Sequence, residues 1–175
     1  SGIRRCASRL RTASTRRAGS RVTLRLSPSF TLGELSRTGN TALADANEAE
    51  ARAFVVPLTA LCVNVLQPIR DHFKAPVSIN SGFRGAAVNA KVGGSKTSQQ
   101  CKGEAADFTV PGADIDAVYR WIVTESGIKY GQCILEKPPG KAWIHASLGA
   151  PWRDAAKCGQ ALTFDGKTYQ PWKPA

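Results

Sequence analysis

The run Ser98-Gln99-Gln100-Cys101-Lys102-Gly103-Glu104-Ala105-Ala106-Asp107-Phe108-Thr109-Val110 decides how the chain is read. Its first half is polar and follows Gly93-Gly94, so residues 93–102 read as a glycine-rich surface loop. Its second half is short and apolar. Residues 104–110 read as a strand, and Pro111-Gly112 stops it. That strand holds a single acid at its middle, Asp107. Taken singly, such an acid reads as a hydrogen-bonded buried carboxylate.

Upstream of this run, residues 77–80 read as a short strand. Ser81-Gly82-Phe83-Arg84-Gly85 reads as a turn, and residues 86–91 as a short helix. Further back, Phe54, Leu58, Leu61, Val65, Ile69 and Phe73 recur every three to four residues. This spacing predicts one long helix over about 47–73, bent near Pro57. Acids at 45–50 suit its first turns, and Arg70, His72 and Lys74 suit its C-terminal end. Residues 32–40 read as a loop or short turn. Downstream, residues 114–125 form an amphipathic helix with Asp114 near the cap and Gly127 after the end. Residues 132–136 and 142–147 read as strands about the turn Lys137-Pro138-Pro139-Gly140. Residues 161–164 and 167–169 read as a hairpin about Asp165-Gly166. There is no internal repeat. The order of elements predicts an α+β domain with a small, largely antiparallel sheet flanked by helices.

A length of 175 residues with 42% apolar content allows one domain with a real core, or one domain and an arm. The net charge of +11 is unevenly placed. Residues 1–33 hold Arg4, Arg5, Arg9, Arg11, Arg16, Arg17, Arg21 and Arg25, with no acid. Residues 34–175 hold 16 basic against 13 acidic residues. The reading is therefore a basic arm over 1–33, ordered only on a partner, and a nearly neutral domain over 34–175. The eight arginines suit phosphates of nucleic acid, an anionic surface, or a protein assembly. Val22, Leu24 and Leu26 alternate with polar residues and could add a strand to a partner's edge. The arm has a basic start but no apolar core, which speaks against a secretory signal. Its Arg- and Ser-rich composition also fits a transit peptide. The apolar stretch 53–66 is short for a bilayer and is interrupted, so no membrane span is expected. Five cysteines (Cys6, Cys62, Cys101, Cys133, Cys158) without CxxC spacing predict free thiols rather than a disulfide framework. With only His72 and His145 present, acid–base and metal chemistry rest on few residues.

Three polar segments fall where a sheet would present them together: 81–84, 98–107 and 136–145. Taken alone, His145 beside Trp143 and Ile144 reads as a packed strand histidine. In order, however, Ser81-Gly82-Phe83-Arg84, the run from Val92 to Asp107, Ile134-Leu135-Glu136 and Trp143-Ile144-His145 resemble the VanY-like zinc peptidases. These include D-Ala-D-Ala carboxypeptidases and phage peptidoglycan endopeptidases. The segment from Ala60 to Arg70 and Gly166-Lys167-Thr168-Tyr169 resemble the single-domain phage and prophage branch. The resemblance covers about residues 28–172. It implies the hedgehog/D-Ala-D-Ala peptidase type of fold.

In that family a motif SxHxxGxAxD and a later histidine hold one zinc, leaving an open position for water. The resemblance implies Asp107 and His145 as the second and third ligands and Glu136 as the acid–base carboxylate. It implies Arg84 as the group that stabilises an oxyanion or binds a substrate carboxylate, with Ser98 and Trp143 on the substrate. The first zinc histidine is replaced by Gln100, a poor ligand for this metal. Cys101 and His72 are the conceivable substitutes. Neighbouring side chains on extended backbone point apart, and His72 reads as a helix C-terminal residue.

Two functional expectations follow. The first is a phage virion protein, made in the host cytoplasm, with a degenerate peptidase domain. Its arm docks on capsid or tail proteins, with nucleic acid as a further possible arm partner, and it acts structurally through the arm or by binding cell-wall peptide without cutting it. The second is an active zinc peptidoglycan endopeptidase or carboxypeptidase for wall penetration or lysis.

Overall fold

The computed structural model describes residues 23–174. Strands β1 (Arg25–Ser27) and β2 (Phe30–Thr31) form a small antiparallel hairpin. Helix α1 (Leu32–Leu35) follows it, opened by a capping box. The Thr31 hydroxyl accepts from the Glu34 N–H, and the Glu34 carboxylate accepts from the Thr31 N–H. The spacing Thr-x-x-Glu is the sequence signature of such a start, so part of the segment expected as a loop is a helical turn. Leu26, Phe30, Leu32 and Leu35 are all buried. The folded body thus begins before residue 34. Leu26, part of the expected partner strand, packs into the core from the chain's own hairpin. Ser27 and Ser29 both donate to the Gln67 Oε1, at 2.9 and 3.1 Å, and tie the hairpin to the long helix. Arg25 lies on this hairpin, where its guanidinium donates to the Pro28 carbonyl at 2.9 Å. Val22 and the other seven arginines expected to bind a partner lie outside the described residues.

The long helix is continuous from Thr41 to Phe73. It begins with a 3-10 turn (Thr41–Leu43) and α2 (Ala44–Ala51), then passes through a second 3-10 turn (Arg52–Phe54) into α3 (Val55–Leu61). A π segment (Cys62–Leu66) leads into α4 (Gln67–Phe73). Both irregularities have a proline as their cause. Pro57 has no N–H for the Ala53 carbonyl, so the ladder tightens one turn ahead of it. Pro68 likewise cannot serve Asn64, and the ladder lengthens there, with the Gln67 N–H donating to the Cys62 carbonyl. By length and composition alone the helix is long and apolar enough to cross a membrane, although residues 53–66 by themselves are short for one. Much of its apolar character has another explanation. Leu58, Leu61, Cys62, Val65, Leu66 and Ile69 are buried in the core.

The main sheet contains β3 (Ser78–Ser81), β4 (Ala105–Thr109), β5 (Tyr130–Glu136), β6 (Trp143–Leu148), β7 (Gln160–Phe164) and β8 (Tyr169–Pro171), in the order β3-β4-β6-β5-β7-β8. It is mixed: β5 and β7 run parallel, which the reading of 161–169 as an isolated hairpin did not anticipate. Helix α5 (Ala86–Lys91) follows β3. Helix α6 (Ile115–Thr124) is capped by the Asp114 side chain, which accepts from the Asp116 N–H.

Strand alternation separates the two faces of the sheet. Ala106 and Phe108, Cys133 and Leu135, and Ile144, Ala146 and Leu148 are buried in the core with the long helix and α6. Asp107, Ile134, Glu136 and His145 therefore fall on the other face. Tyr119 of α6 ties the layers together through its hydroxyl, which donates to the Leu162 carbonyl at 2.8 Å.

Candidate functional site

The open face of the sheet floors a cleft of about 750 Å3. Register places its central groups side by side. Asp107 on β4 is directly opposite His145 on β6, His145 is opposite Ile134 on β5, and Glu136 is opposite Trp143. The Ser81–Arg84 turn closes one side, where Ser81 pairs with Asp107. The segment carrying Gln100 closes another. It is a 3-10 turn (Gln99–Lys102) rather than a plain loop, and the Ser98 hydroxyl caps it by accepting from the Gln100 N–H at 3.3 Å. Gly103 ends that turn with φ +68°, and a Cβ there would lie 3.0 Å from the Leu58 side chain. Backbone conformation and close packing both require glycine at this point.

Asp107 is the hub of the site. Its Oδ1 lies 2.7 Å from the His145 Nδ1, and its Oδ2 accepts from the Arg84 Nη2 at 3.0 Å and from the Gln100 Nε2 at 3.0 Å. The Gln100 amide also donates to the Ser81 carbonyl at 3.1 Å, and the Arg84 Nε donates to the Ser81 hydroxyl at 2.8 Å. Gln100 is only 3% exposed. Both of its partners are acceptors, so the amide must turn its nitrogen inward, and its oxygen does not face Asp107. A carboxylate accepts only, so the Asp107–His145 contact places the imidazole proton on Nδ1.

Glu136 stands above the usual carboxylate range. Burial is the main cause, followed by repulsion from Asp107; His145, Trp143 and Arg84 act against it. The Trp143 indole N–H faces Glu136 and favours its ionised form, yet it falls short of hydrogen-bond geometry and is buried without a partner.

The sequence-predicted residues Arg84, Ser98, Gln100, Asp107, Glu136, Trp143 and His145 all line this cleft. His72 is elsewhere. Its ring stacks on Trp121 with centroids 4.0 Å apart. Cys101 is also not placed as a substitute ligand. Among the described residues, the metal-capable group is Asp107, Glu136 and His145, whose ligand atoms lie within 4.8 Å of one another. The residues do not fit a three-ligand zinc set with Gln100 as a member. The Gln100 amide turns its nitrogen, a donor with no free lone pair, toward Asp107, so that position offers a metal no ligand atom. Lys102, within the expected segment 98–107, also lines the cleft, as do Gln132, Trp152, Arg153 and Tyr169, which were not foreseen. Alternation from Glu136 through Ile134 could have exposed Gln132. Arg153 and Tyr169 reach the cleft through tertiary placement that local sequence does not encode.

None of the curated proteins matches the chain. A family model described as Peptidase M15 matches residues 28–146, a span that runs from the β1–β2 hairpin through Asp107 and Glu136 to His145. The chain belongs to the peptidase M15 family.

Proposed function

We propose that this chain is a virion-associated phage protein whose M15 domain binds cell-wall peptide in its cleft without cutting it. In this reading the basic N-terminal segment attaches it to a capsid or tail assembly. The observation that carries the non-cutting part is the contact between the Gln100 Nε2 and the Asp107 Oδ2 at 3.0 Å. With Arg84 and His145 it surrounds the carboxylate with protein donors, and the first ligand position of the family's zinc site offers no imidazole. A fold keeps its cleft when its chemistry changes, so the peptide groove outlasts the metal. The attachment rests on the charge distribution: eight arginines and no acid in residues 1–33.

The test is metal analysis of the purified chain together with incubation on purified sacculi. The expected result is no stoichiometric zinc, no released peptide fragments and measurable retention on the sacculi. Stoichiometric zinc with fragment release lost in His145→Ala would overturn it. Removing residues 1–22 should prevent incorporation into virions, and normal incorporation would refute the docking role. Salt-sensitive binding of any duplex by the full chain, lost on the same truncation, would instead assign the segment to nucleic acid.

One observation favours a second reading, an active metallopeptidase. Asp107, Glu136 and His145 lie close enough to share one ion, which would make Glu136 the third ligand. One nitrogen and two carboxylates form a harder donor set than the family's own. Glu136→Gln would then abolish metal uptake, whereas on the first reading there is no uptake to lose.

A further inference from the structure

We infer that Arg153 is the anion anchor of the cleft, receiving a carboxylate of the bound peptide two to three residues along from the Asp107–His145 pair. This inference rests on the reading of the cleft as a wall-peptide site.

The two arginines of the cleft are differently engaged. Arg84 is committed to Asp107 and Ser81. Arg153 lines the same cleft, yet its Nη1 is buried without a hydrogen-bond partner. No carboxylate among the described residues lies within ion-pair distance of it. Glu104 is near enough to feel the Arg153 charge, but as a weaker influence than its own burial and Lys102. Asp154, the next residue, gives its carboxylate to the Ala156 N–H at 3.0 Å. Lys102 and Lys157 also line the cleft. With Glu104 beyond ion-pair contact, the half-buried guanidinium is incompletely compensated, and a ligand carboxylate meeting its fork supplies the missing contact.

Position sets the spacing. The stem of Arg153 packs over Gly131 of β5. A Cβ on that glycine would lie 3.0 Å from the Arg153 Cδ, 2.9 Å from the Ser147 Oγ and 2.5 Å from the Leu148 carbonyl. Glycine there leaves room for the side chain to cross the strand. Ser147 is two residues beyond His145 on β6, and Gly131 is three residues from Ile134, the partner of His145 on β5. At about 3.3 Å per residue this places the arginine stem roughly 7–10 Å from the pair. An extended peptide covers that distance in about two to three residues.

The test uses soluble wall peptides prepared from purified sacculi, either with free carboxylates or with those carboxylates converted to methylamides. Binding to the full chain is measured by calorimetry. Wild type should bind the free-acid peptides about tenfold or more tightly than the amides, as expected for a charge-assisted contact. Arg153→Gln should reduce that ratio to below about twofold, and Arg153→Lys should keep an intermediate ratio because it retains a point charge without the fork. Equal binding of both peptide forms by wild type, or an unchanged ratio in Arg153→Gln, overturns the anchor while leaving the wall-peptide reading intact. Failure of wild type to bind either form overturns that reading and the anchor with it.

Discussion

Gln100, which the proposed reading sets at a metal-ligand position, is held in a pocket that hydrogen-bonds its amide. Its nitrogen serves Asp107 and the Ser81 carbonyl together. Gln100→Ala should therefore lower stability by about 1–3 kcal/mol, because it removes a donor from the half-buried Ser81 carbonyl and from the buried Asp107 carboxylate. Urea unfolding measures this, and an unchanged midpoint would show the amide to be a passive occupant. Gln100→His makes the opposite change. It restores an imidazole beside Asp107 and His145, and stoichiometric zinc by metal analysis is the expected gain. Cys6 lies outside the described residues, and the four described thiols divide by burial. The Cys62 thiol is pushed up to about 12, chiefly by burial, and burial raises Cys133 as well. Both should resist iodoacetamide at pH 8 in the native protein, whereas Cys101 and Cys158 are partly exposed and should label first. Mass spectrometry of the labelled peptides reads the difference.

At the level of elements, one buried amide holds the site turn in place. The Asn47 Nδ2 of α2 donates to the Ser36 carbonyl at 2.6 Å and to the Phe83 carbonyl at 3.2 Å, and its Oδ1 accepts from the Gly85 N–H at 2.7 Å. Asn47 thus brackets Arg84 on both sides. Asn47→Ala should cost about 3 kcal/mol, with three backbone groups losing partners, and should speed amide exchange across residues 83–85 more than in the sheet. The β7–β8 connection gives a pH-dependent case. The Asp165 carboxyl lies below its ordinary value because the Thr168 and Lys167 N–H groups both donate to it, each at 2.8 Å. A lowered carboxyl stabilises the fold above its unfolded value and loses that contribution as pH falls through the folded one. The stability gap between wild type and Asp165→Asn should therefore be larger at pH 7 than at pH 3, as read by thermal unfolding at both. A gap that does not change with pH would show that the ionised carboxylate adds nothing over an amide.

For the molecule as a whole, the N-terminal hairpin is part of the body. Phe30 is 1% exposed and lies in the same core as Leu58, Leu61 and Phe108. Phe30→Ala should destabilise the domain by about 3–5 kcal/mol in the absence of any partner. A neutral effect would return residues 28–33 to the arm. The charge asymmetry remains. The body carries a cleft of mixed sign, whereas the arginine surplus lies mainly in residues 1–22, so charge says little about what the cleft holds.

Much of this was legible in the residues. Apolar periodicity marked the long helix and alternation marked β4, β5 and β6, because local spacing carries that information, whereas Arg84, Gln100, Asp107, Glu136 and His145 were singled out by the family resemblance of the ordered motifs. The capping box at Thr31–Glu34 was present in the sequence and went unread. Other features were decided only by tertiary structure. Parallel pairing of β5 with β7 joins segments nearly thirty residues apart, and no local pattern records it. The inward turn of the Gln100 amide depends on two acceptors, one seven residues and one nineteen residues away. Arg153 reaches the cleft because Gly131 leaves room for its stem. Sequence determines which face each residue takes, since that is a matter of backbone period. What meets it across that face depends on how the layers close, and the donors around Asp107 were brought together at that level.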